Sequence, residues 1–329
     1  MKTWIAKAMA GALGAACMLA ATGPAAAQDA YPERPLRLIV PWAVGGSTDM
    51  LGRLLAERMG RELGQAIVVE NRPGATGTIG FSQVARAPAD GYTLLLGTNS
   101  TFAIAPHFYP DLNYDVLRDF ASVGMIGVNQ QVLCVTADSP LQSLDTLLER
   151  ARRQPGEVTY ASSGVGGSSH LATELLMARL DFDMLHVPYK GGAPALQAIM
   201  GKQVDIGFVD ISLAEPLIKG GKLRALGTSG TNRAPTLPDV PTLAEAGARD
   251  FSSLTTFSLL VPAGVPAPVV SRVNAALNTA LTDPAVIDRL GAMGYELTPG
   301  DAQAYVEHAR AENAKWGELI TERKITLTQ

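Results

Sequence analysis

The sequence predicts an α/β protein of two domains, in which a mainly parallel sheet is covered by helices on both faces. Short apolar runs typical of buried strands alternate with segments whose apolar residues recur at helical spacing. From Gln131 onward this alternation starts again. The chain has 329 residues, 47% of them apolar and 18% charged, which is enough for two domains of roughly 100–150 residues each.

In the first half, the strands are short runs of aliphatic residues closed by turn sequences rich in Gly, Pro, Asn and Asp. Strands are predicted over 36–40, 66–70 and 92–97, and helices over 50–59 and 76–87. In the second half, strands are predicted over 131–135, 158–161, 186–189, 204–209 and 223–227, and helices over 168–180, 193–200, 269–281 and 301–322. Cys134 lies in an apolar run, so we expect a buried strand residue rather than a nucleophile.

Residues 1–27 have the features of a cleaved secretory signal peptide. Lys2 and Lys7 give a positive start, residues 8–21 are apolar but too short for a permanent membrane anchor, and small residues fill positions 25–27. An alternative is a lipoprotein processing site, in which Cys17 would carry the lipid. We therefore expect a periplasmic protein whose mature chain begins at Gln28.

Composition and motifs exclude several classes of function. A mildly acidic exported chain, with a formal net charge of −4, is poorly suited to nucleic acid or anionic membrane surfaces. No later segment predicts membrane insertion, and no phosphate-binding loop, hydrolase elbow or metal-ligand spacing is present. We therefore expect no cofactor, no metal and no enzymatic activity. One enzymatic alternative remains open, a hydrolase that uses Ser163 or Ser168 with His170.

Two loops read almost as copies of one another. Residues 40–49 (VPWAVGGSTD) and 161–170 (ASSGVGGSSH) each follow an extended segment, pass through a Gly-Gly pair and open a helix. A helix start presents unpaired backbone N–H groups and a partial positive charge. Two such starts that face each other would hold an anionic small molecule from both sides. Lys190-Gly191-Gly192 marks a third helix start near the cleft, and we expect Lys190 itself to be exposed.

The predicted contacts follow from these loops. Neither loop contains Arg or Lys, so recognition would depend on N–H groups, small hydroxyls and bridging water. A tight strand-to-helix turn is an equal alternative for the first loop alone, but the serines of the second loop exceed what capping needs. Asp49 falls in the first helical turn, where we expect a structural role. The ligand-binding candidates in the loops are Trp42, Ala43, Gly46, Ser47, Thr48, Ser162, Ser163, Gly166, Ser168 and His170.

Further motifs extend along the chain in a specific order. They are Tyr31-Pro32, residues 40–49, 69–74 (VENRPG), 90–94 (DGYTL), 186–191 (HVPYKG), 220–226 (GGKLRAL), 237–242 (LPDVPT) and 262–264 (PAG). With these motifs the chain resembles the solute receptors of tripartite tricarboxylate transporters, also called Bug receptors. The resemblance covers nearly all of the sequence that follows residue 27.

The resemblance implies a type II periplasmic binding protein of two α/β domains joined by a hinge. Domain 1 would comprise residues 29–128 plus 257–329, domain 2 residues 129–256, with chain crossovers near Val128 and Thr256. The ligand would be a small organic anion, namely a di- or tricarboxylate, an acidic amino acid or an aromatic acid, delivered by a monomeric receptor to membrane permease subunits. The resemblance adds strand-end candidates for selectivity, which are Thr98, Asn99, Asn129, Gln130 and Asp210. For Asp210, contact with a ligand amino group and capping of the next helix are equal alternatives. A periplasmic sensor for a two-component system is the alternative role.

Overall fold

The first elements of the fold alternate as the sequence predicts. The computed structural model describes residues 31–109, 111–299 and 303–326, and from Arg34 onward the chain packs as one unit. The predicted signal peptide and Cys17 lie outside the described residues. The first elements are β1 (Leu36–Val40), α1 (Ser47–Leu63), β2 (Ile67–Asn71), α2 (Thr78–Ala85), β3 (Thr93–Thr98) and α3 (Ala105–Phe108). A 3-10 turn (Ala75–Gly77) precedes α2, and a π-helical turn (Ser100–Ile104) precedes α3.

A 17-residue strand, β4 (Phe120–Thr136), opens the second half. It is followed by α4 (Leu144–Arg153), β5 (Thr159–Ser162), α5 (Ser168–Leu180), β6 (Leu185–Pro188), α6 (Gly192–Met200), β7 (Ile206–Asp210), α7 (Ile211–Lys219) and β8 (Leu223–Thr228). The chain then returns through β9 (Leu254–Pro262), α8 (Ala267–Thr282), α9 (Pro284–Ala292), β10 (Tyr295–Leu297) and α10 (Gln303–Arg323).

The strands form one mixed sheet in the order β2-β1-β3-β9-β4-β7-β5-β6, and β8 and β10 both pair with β4. The outer strands are parallel: β1 pairs with β2 and β3, and β5 pairs with β6 and β7. The long strands β4 and β9 run antiparallel to their neighbours. They carry the chain between the two groups of parallel strands, which explains why the centre of the sheet differs from its edges.

Strand β4 joins the two halves of the sheet. Up to Gln130 it pairs with β9 and β10, and from Gln131 it pairs with β7 and β8. In the register of β4 with β9, Val128 lies opposite Thr256. The two positions predicted as crossovers are therefore neighbours in space. The division of the chain into two domains at these positions stays a prediction.

Apolar side chains from both halves form the core. Trp316 of α10 and Tyr160 of β5 are fully buried in the same cluster, which ties the C-terminal helix to the second half of the sheet. Cys134 is buried in β4, where desolvation raises the pKa of its thiol to about 12. Within the described ranges, no helix combines the length and the apolar character that crossing a bilayer requires.

Candidate functional site

A cavity of about 40 Å³ lies beyond the carboxyl ends of β1, β3, β5 and β7. Ligands of α/β proteins bind at this edge of the sheet, because loops and helix starts meet there. The lining residues come from both halves: Trp42, Ala43, Gly46, Ser47, Thr48, Thr98, Ser100, Gln131, Ser163, Ser168, Ser169, Gly191, Gly192, Ala193, Phe208, Val209, Asp210 and Thr255. None of these described residues is Lys, Arg or His.

Three helices begin at this cavity without a side-chain cap. The residues at the N-caps of α1, α5 and α6 are Gly46, Gly167 and Gly191, and none of them makes a side-chain capping hydrogen bond. The first backbone N–H groups of a helix have no partner within that helix, and together they carry a partial positive charge. Three such starts around one cavity therefore favour an anion at this end of the cavity without a cationic side chain.

Small hydroxyl groups add further donors. Ser168 Oγ accepts from Gln131 Nε2 at 3.4 Å. Thr255 Oγ1 lies 3.2 Å from both Ser168 Oγ and Asp210 Oδ1, and its single proton serves one of them at a time. When Thr255 donates to Asp210, its oxygen can accept the proton of Ser168 Oγ; when Thr255 donates to Ser168, that proton can reach an anionic ligand. The backbone N–H of Ser168 donates instead to Ser100 Oγ at 2.9 Å. The start of α5 thus offers a hydroxyl as well as amides.

Asp49 stabilises the first glycine loop from outside the cavity. Its carboxylate accepts from the Gly45 N–H at 3.0 Å, Asn71 Nδ2 at 2.9 Å and Arg53 Nε at 3.0 Å. Burial alone would raise the pKa of Asp49, but the hydrogen bonds from Arg53, Gly45 and Asn71 outweigh it and hold the pKa below its ordinary value. Asp49 does not line the cavity. It fixes the turn that Gly45, at φ +80°, makes before α1.

Replacing Asp49 with Asn should loosen this loop without removing it. Asparagine keeps an oxygen that can accept from Gly45, but it loses the charge that faces Arg53. We expect a loss of about 1 kcal/mol in the free energy of unfolding and a severalfold loss of ligand affinity, measured by urea denaturation and calorimetry. R53A is the control, since Arg53 is half exposed. If R53A weakens binding as much as D49N does, the loop depends on the ion pair alone.

The second glycine loop is held by its own hydroxyls. The Ser163 N–H donates to Ser169 Oγ at 2.8 Å, and the Gly164 N–H donates to Ser162 Oγ at 3.2 Å. Gly166 has φ +73°, and a Cβ at this position would lie 2.9 Å from the ring of Phe108. Ser162 and Gly166 therefore set the path of the loop, and Ser163 and Ser169 line the cavity.

Two histidines stack beneath this loop. The rings of His170 and His186 are 4.1 Å apart between centroids and nearly parallel. His170 Nδ1 accepts from the Gly166 N–H at 3.0 Å, and His186 Nε2 lies 2.6 Å from Ser162 Oγ. Burial lowers the pKa of both imidazoles, that of His186 to about 4. Both rings are therefore neutral at pH 7, where they support the loop from its buried side.

The structure brings most of the predicted contacts together. Those that line the cavity are Trp42, Ala43, Gly46, Ser47, Thr48, Thr98, Ser163, Ser168 and Asp210. Those that do not line it are Asn99, Ser162, Gly166 and His170, together with the strand-end candidates Asn129 and Gln130. Asn99 lies near the cavity but donates to Leu254 O at 2.9 Å and to Glu312 Oε2 at 3.1 Å. Direct contact between each of these residues and a ligand stays a prediction.

Other lining residues were not among the predicted contacts. They are Ser100, Gln131, Ser169, Gly191, Gly192, Ala193, Phe208, Val209 and Thr255. The third Gly-Gly pair marks the start of α6, and Lys190 before it is exposed, as expected. Ser169 lies within the second loop. Gln131 follows the polar pair at 129–130 inside an otherwise apolar strand, which is a signal that could have identified it. Thr255 has no local signal, because its place depends on the pairing of β9.

Comparisons with known proteins identify the family and similar structures. Residues 51–325 match the family described as tripartite tricarboxylate transporter family receptor. The periplasmic binding protein BugD is 35% identical, with a TM-score of 0.85 over 90% of this chain and 99% of BugD. Rpa4515 of R. palustris, solved with adipate, is 34% identical, with a TM-score of 0.87 over 90% and 99% of the two chains. MatC (Rpa3494) from Rhodopseudomonas palustris, with bound malate, is 32% identical, with a TM-score of 0.84 over 88% and 100%.

Proposed function

The chain belongs to the receptor family of tripartite tricarboxylate transporters, a family with the fold of two-domain type II periplasmic binding proteins, and we propose that it binds a small organic carboxylate in the cavity at the starts of α1, α5 and α6. We further propose that it acts in the periplasm, without catalysis, and presents the ligand to membrane permease subunits. The adipate and malate that are bound to Rpa4515 and MatC support a carboxylate as the ligand.

The observation that carries this proposal is the convergence of three uncapped helix starts on a cavity that no described cation lines. Hydrogen bonds to a charged group contribute about 1.5–3 kcal/mol each. Several of them around one carboxylate are enough for micromolar affinity, which corresponds to roughly −8 kcal/mol. The site therefore needs no Lys or Arg to bind an anion usefully.

The size of the cavity indicates a closed conformation. A volume of about 40 Å³ has room for only a few water molecules. Several hydrogen bonds join its two sides: Thr76 Oγ1 donates to Val165 O, Ser47 Oγ donates to Asp210, and the Ser168 N–H donates to Ser100 Oγ. Entry of a ligand would require these bonds to open, with bending along the long strands β4 and β9. A ligand that contacts both sides would then favour closure.

A thermal-shift screen over small carboxylates tests the proposal. The panel contains linear diacids, hydroxy acids, acidic amino acids and aromatic monoacids. A ligand that binds only the native state adds about 2.7 kcal/mol of stability at a hundred times its Kd. We therefore expect at least one class to raise Tm by several degrees. If no carboxylate raises Tm at millimolar concentration, the chain is not a receptor of this kind.

The arrangement does not favour the hydrolase alternative. Ser163 Oγ lies 3.0 Å from Ser169 Oγ, and Ser168 Oγ accepts from Gln131 and lies 3.2 Å from Thr255 Oγ1. Neither serine has a hydrogen bond to His170 within the described part of the chain. The Nδ1 atom of His170 accepts a hydrogen bond from the Gly166 N–H, and the His170 ring stacks on His186. A serine nucleophile needs its base within hydrogen-bond reach, and this geometry does not provide one.

A further inference from the structure

Asp210 places a carboxylate in the wall of the cavity, although its position in the chain suits another role. It ends β7 and is the N-cap residue of α7, where aspartate commonly accepts from the first N–H groups of the helix. The Asp210 side chain makes no such capping bond. It accepts instead from Ser47 Oγ, from Gln131 Nε2 at 3.3 Å and from Thr255 Oγ1 at 3.2 Å.

Gln131 supplies a second acceptor beside this carboxylate. It is 2% exposed, lines the cavity and lies opposite Asp210 in the pairing of β4 with β7. Its Nε2 donates to Asp210 and to Ser168, which fixes the orientation of the amide. Its Oε1 is buried and has no hydrogen-bond partner among the described residues. A buried acceptor without a donor is unfavourable, so this oxygen points to a donor that arrives with the ligand.

The charge of Asp210 is also unmatched within the cavity. None of the described lining residues is a cation. Burial raises the pKa of Asp210, and the hydrogen bonds from Ser47, Gln131 and Thr255 lower it only in part. A partly desolvated carboxylate gains more from an ammonium group than from a neutral donor, because hydrogen bonds between opposite charges are the stronger ones.

We propose that Asp210 and Gln131 select ligands that carry an ammonium group beside the carboxylate, so that the receptor prefers amino acids to the corresponding acids without an amine. This inference rests on the proposed function, since the helix starts of α1 and α5 would hold the carboxylate. Donors at these helix starts and acceptors on the wall formed by Asp210 and Gln131 match the two charged groups of a zwitterion. The two residues thereby determine specificity within the same cavity.

Calorimetry with matched pairs of ligands tests the proposal. The pairs are L-glutamate and glutarate, L-aspartate and succinate, and L-leucine and 4-methylpentanoate, which differ within each pair only by the amine. We expect the unmodified receptor to bind the amino acid of at least one pair tenfold or more tightly than its partner. In D210N this preference disappears through loss of amino acid affinity, whereas affinity for the acid does not fall. D288N, an exposed change on α9, should leave the preference intact.

The outcomes separate the two claims. If acids bind the unmodified protein as tightly as the amino acids, or if D210N weakens both members of a pair equally, the proposed selection is wrong and carboxylate binding stands. If neither class binds the folded protein, both claims fail. Melting of ligand-free D210N verifies that it folds. Should it not fold, Q131M removes the Oε1 acceptor instead, and we expect it to reduce the preference severalfold.

Discussion

Replacing Gly46 with Val is expected to weaken carboxylate binding at least tenfold, which corresponds to about 1.4 kcal/mol, with little change in Tm. Gly46 has φ −77° and ψ 167°, which other residues also adopt, and a Cβ there would lie 3.4 Å from Ala43 O. The fold therefore tolerates a side chain. The two γ carbons of Val would enter a cavity of about 40 Å³ and cover the N–H groups that begin α1. Isothermal titration calorimetry with the best ligand from the screen measures the effect.

The matched control for this change is Gly291→Val. Gly291 is exposed in α9, and the space around its missing Cβ is open. We expect this variant to bind as the unmodified protein does, while G46A shows an effect smaller than that of G46V. Unchanged affinity in G46V would mean that the first glycine loop does not contact the ligand.

Acid should destabilise the protein through the stacked histidines. A histidine in the unfolded chain has a pKa near 6.5, whereas the pKa of folded His186 is about 4. As pH falls below 6.5, His186 becomes protonated in the unfolded chain but stays neutral in the folded protein until the pH approaches 4. Stability is thus fully present above pH 6.5 and is lost as pH falls toward 4. A shift of this size corresponds to about 3 kcal/mol, and His170, whose pKa is also lowered, acts in the same direction.

Other groups that face the stack must be separated from this effect. Burial raises the pKa of Glu174, which Tyr160 and Arg323 contact, and a raised carboxyl pKa stabilises the folded protein as pH falls. Comparison with His186→Gln isolates the imidazole. Between pH 7 and pH 4 this variant should lose about 3 kcal/mol less than the unmodified protein, as measured by urea denaturation. H107Q, an exposed change, is the control. Equal losses in H186Q and the unmodified protein would contradict this account.

The glycine loops could be predicted because their signals are local. A strand, a Gly-Gly pair and small hydroxyl residues lie within ten positions of one another, and the helix predicted over 168–180 has the observed bounds of α5. Helix starts are determined by neighbouring residues, so a single sequence shows them. The same signals identified the lining residues Gly46, Ser47 and Ser168.

The first part of β4, before Gln131, could not be predicted because its pairing is irregular. Its pairing with β9 shifts register between Ser122 and Gly124 and again between Met125 and Gly127. Such shifts interrupt the alternation of side chains on which strand prediction depends. At Gly127 the backbone has φ +154°, and a Cβ would lie 2.2 Å from Glu296 O, so close approach to β10 requires glycine. In the sequence, Ser122, Gly124 and Gly127 interrupt the apolar residues of this part.

The neighbours of Asp210 depend on contacts between distant residues. Thr255 lies at the start of β9 and Gln131 within β4, and both reach Asp210 only through the pairing of the central strands. No local pattern connects these positions. The sequence could therefore suggest that Asp210 reads an amino group or caps a helix, but not which of the two. The absence of a capping bond in α7 favours the first.

A crystal structure of the protein with the tightest ligand from the screen tests the central claim most directly. We predict a carboxylate whose oxygens lie 2.7–3.2 Å from backbone N–H groups at the starts of α1 and α5, or one bridging water away. No lysine or arginine side chain would contact it. A ligand that binds outside this cavity, or whose carboxylate is paired with Lys or Arg, would contradict the claim that uncapped helix starts hold the anion.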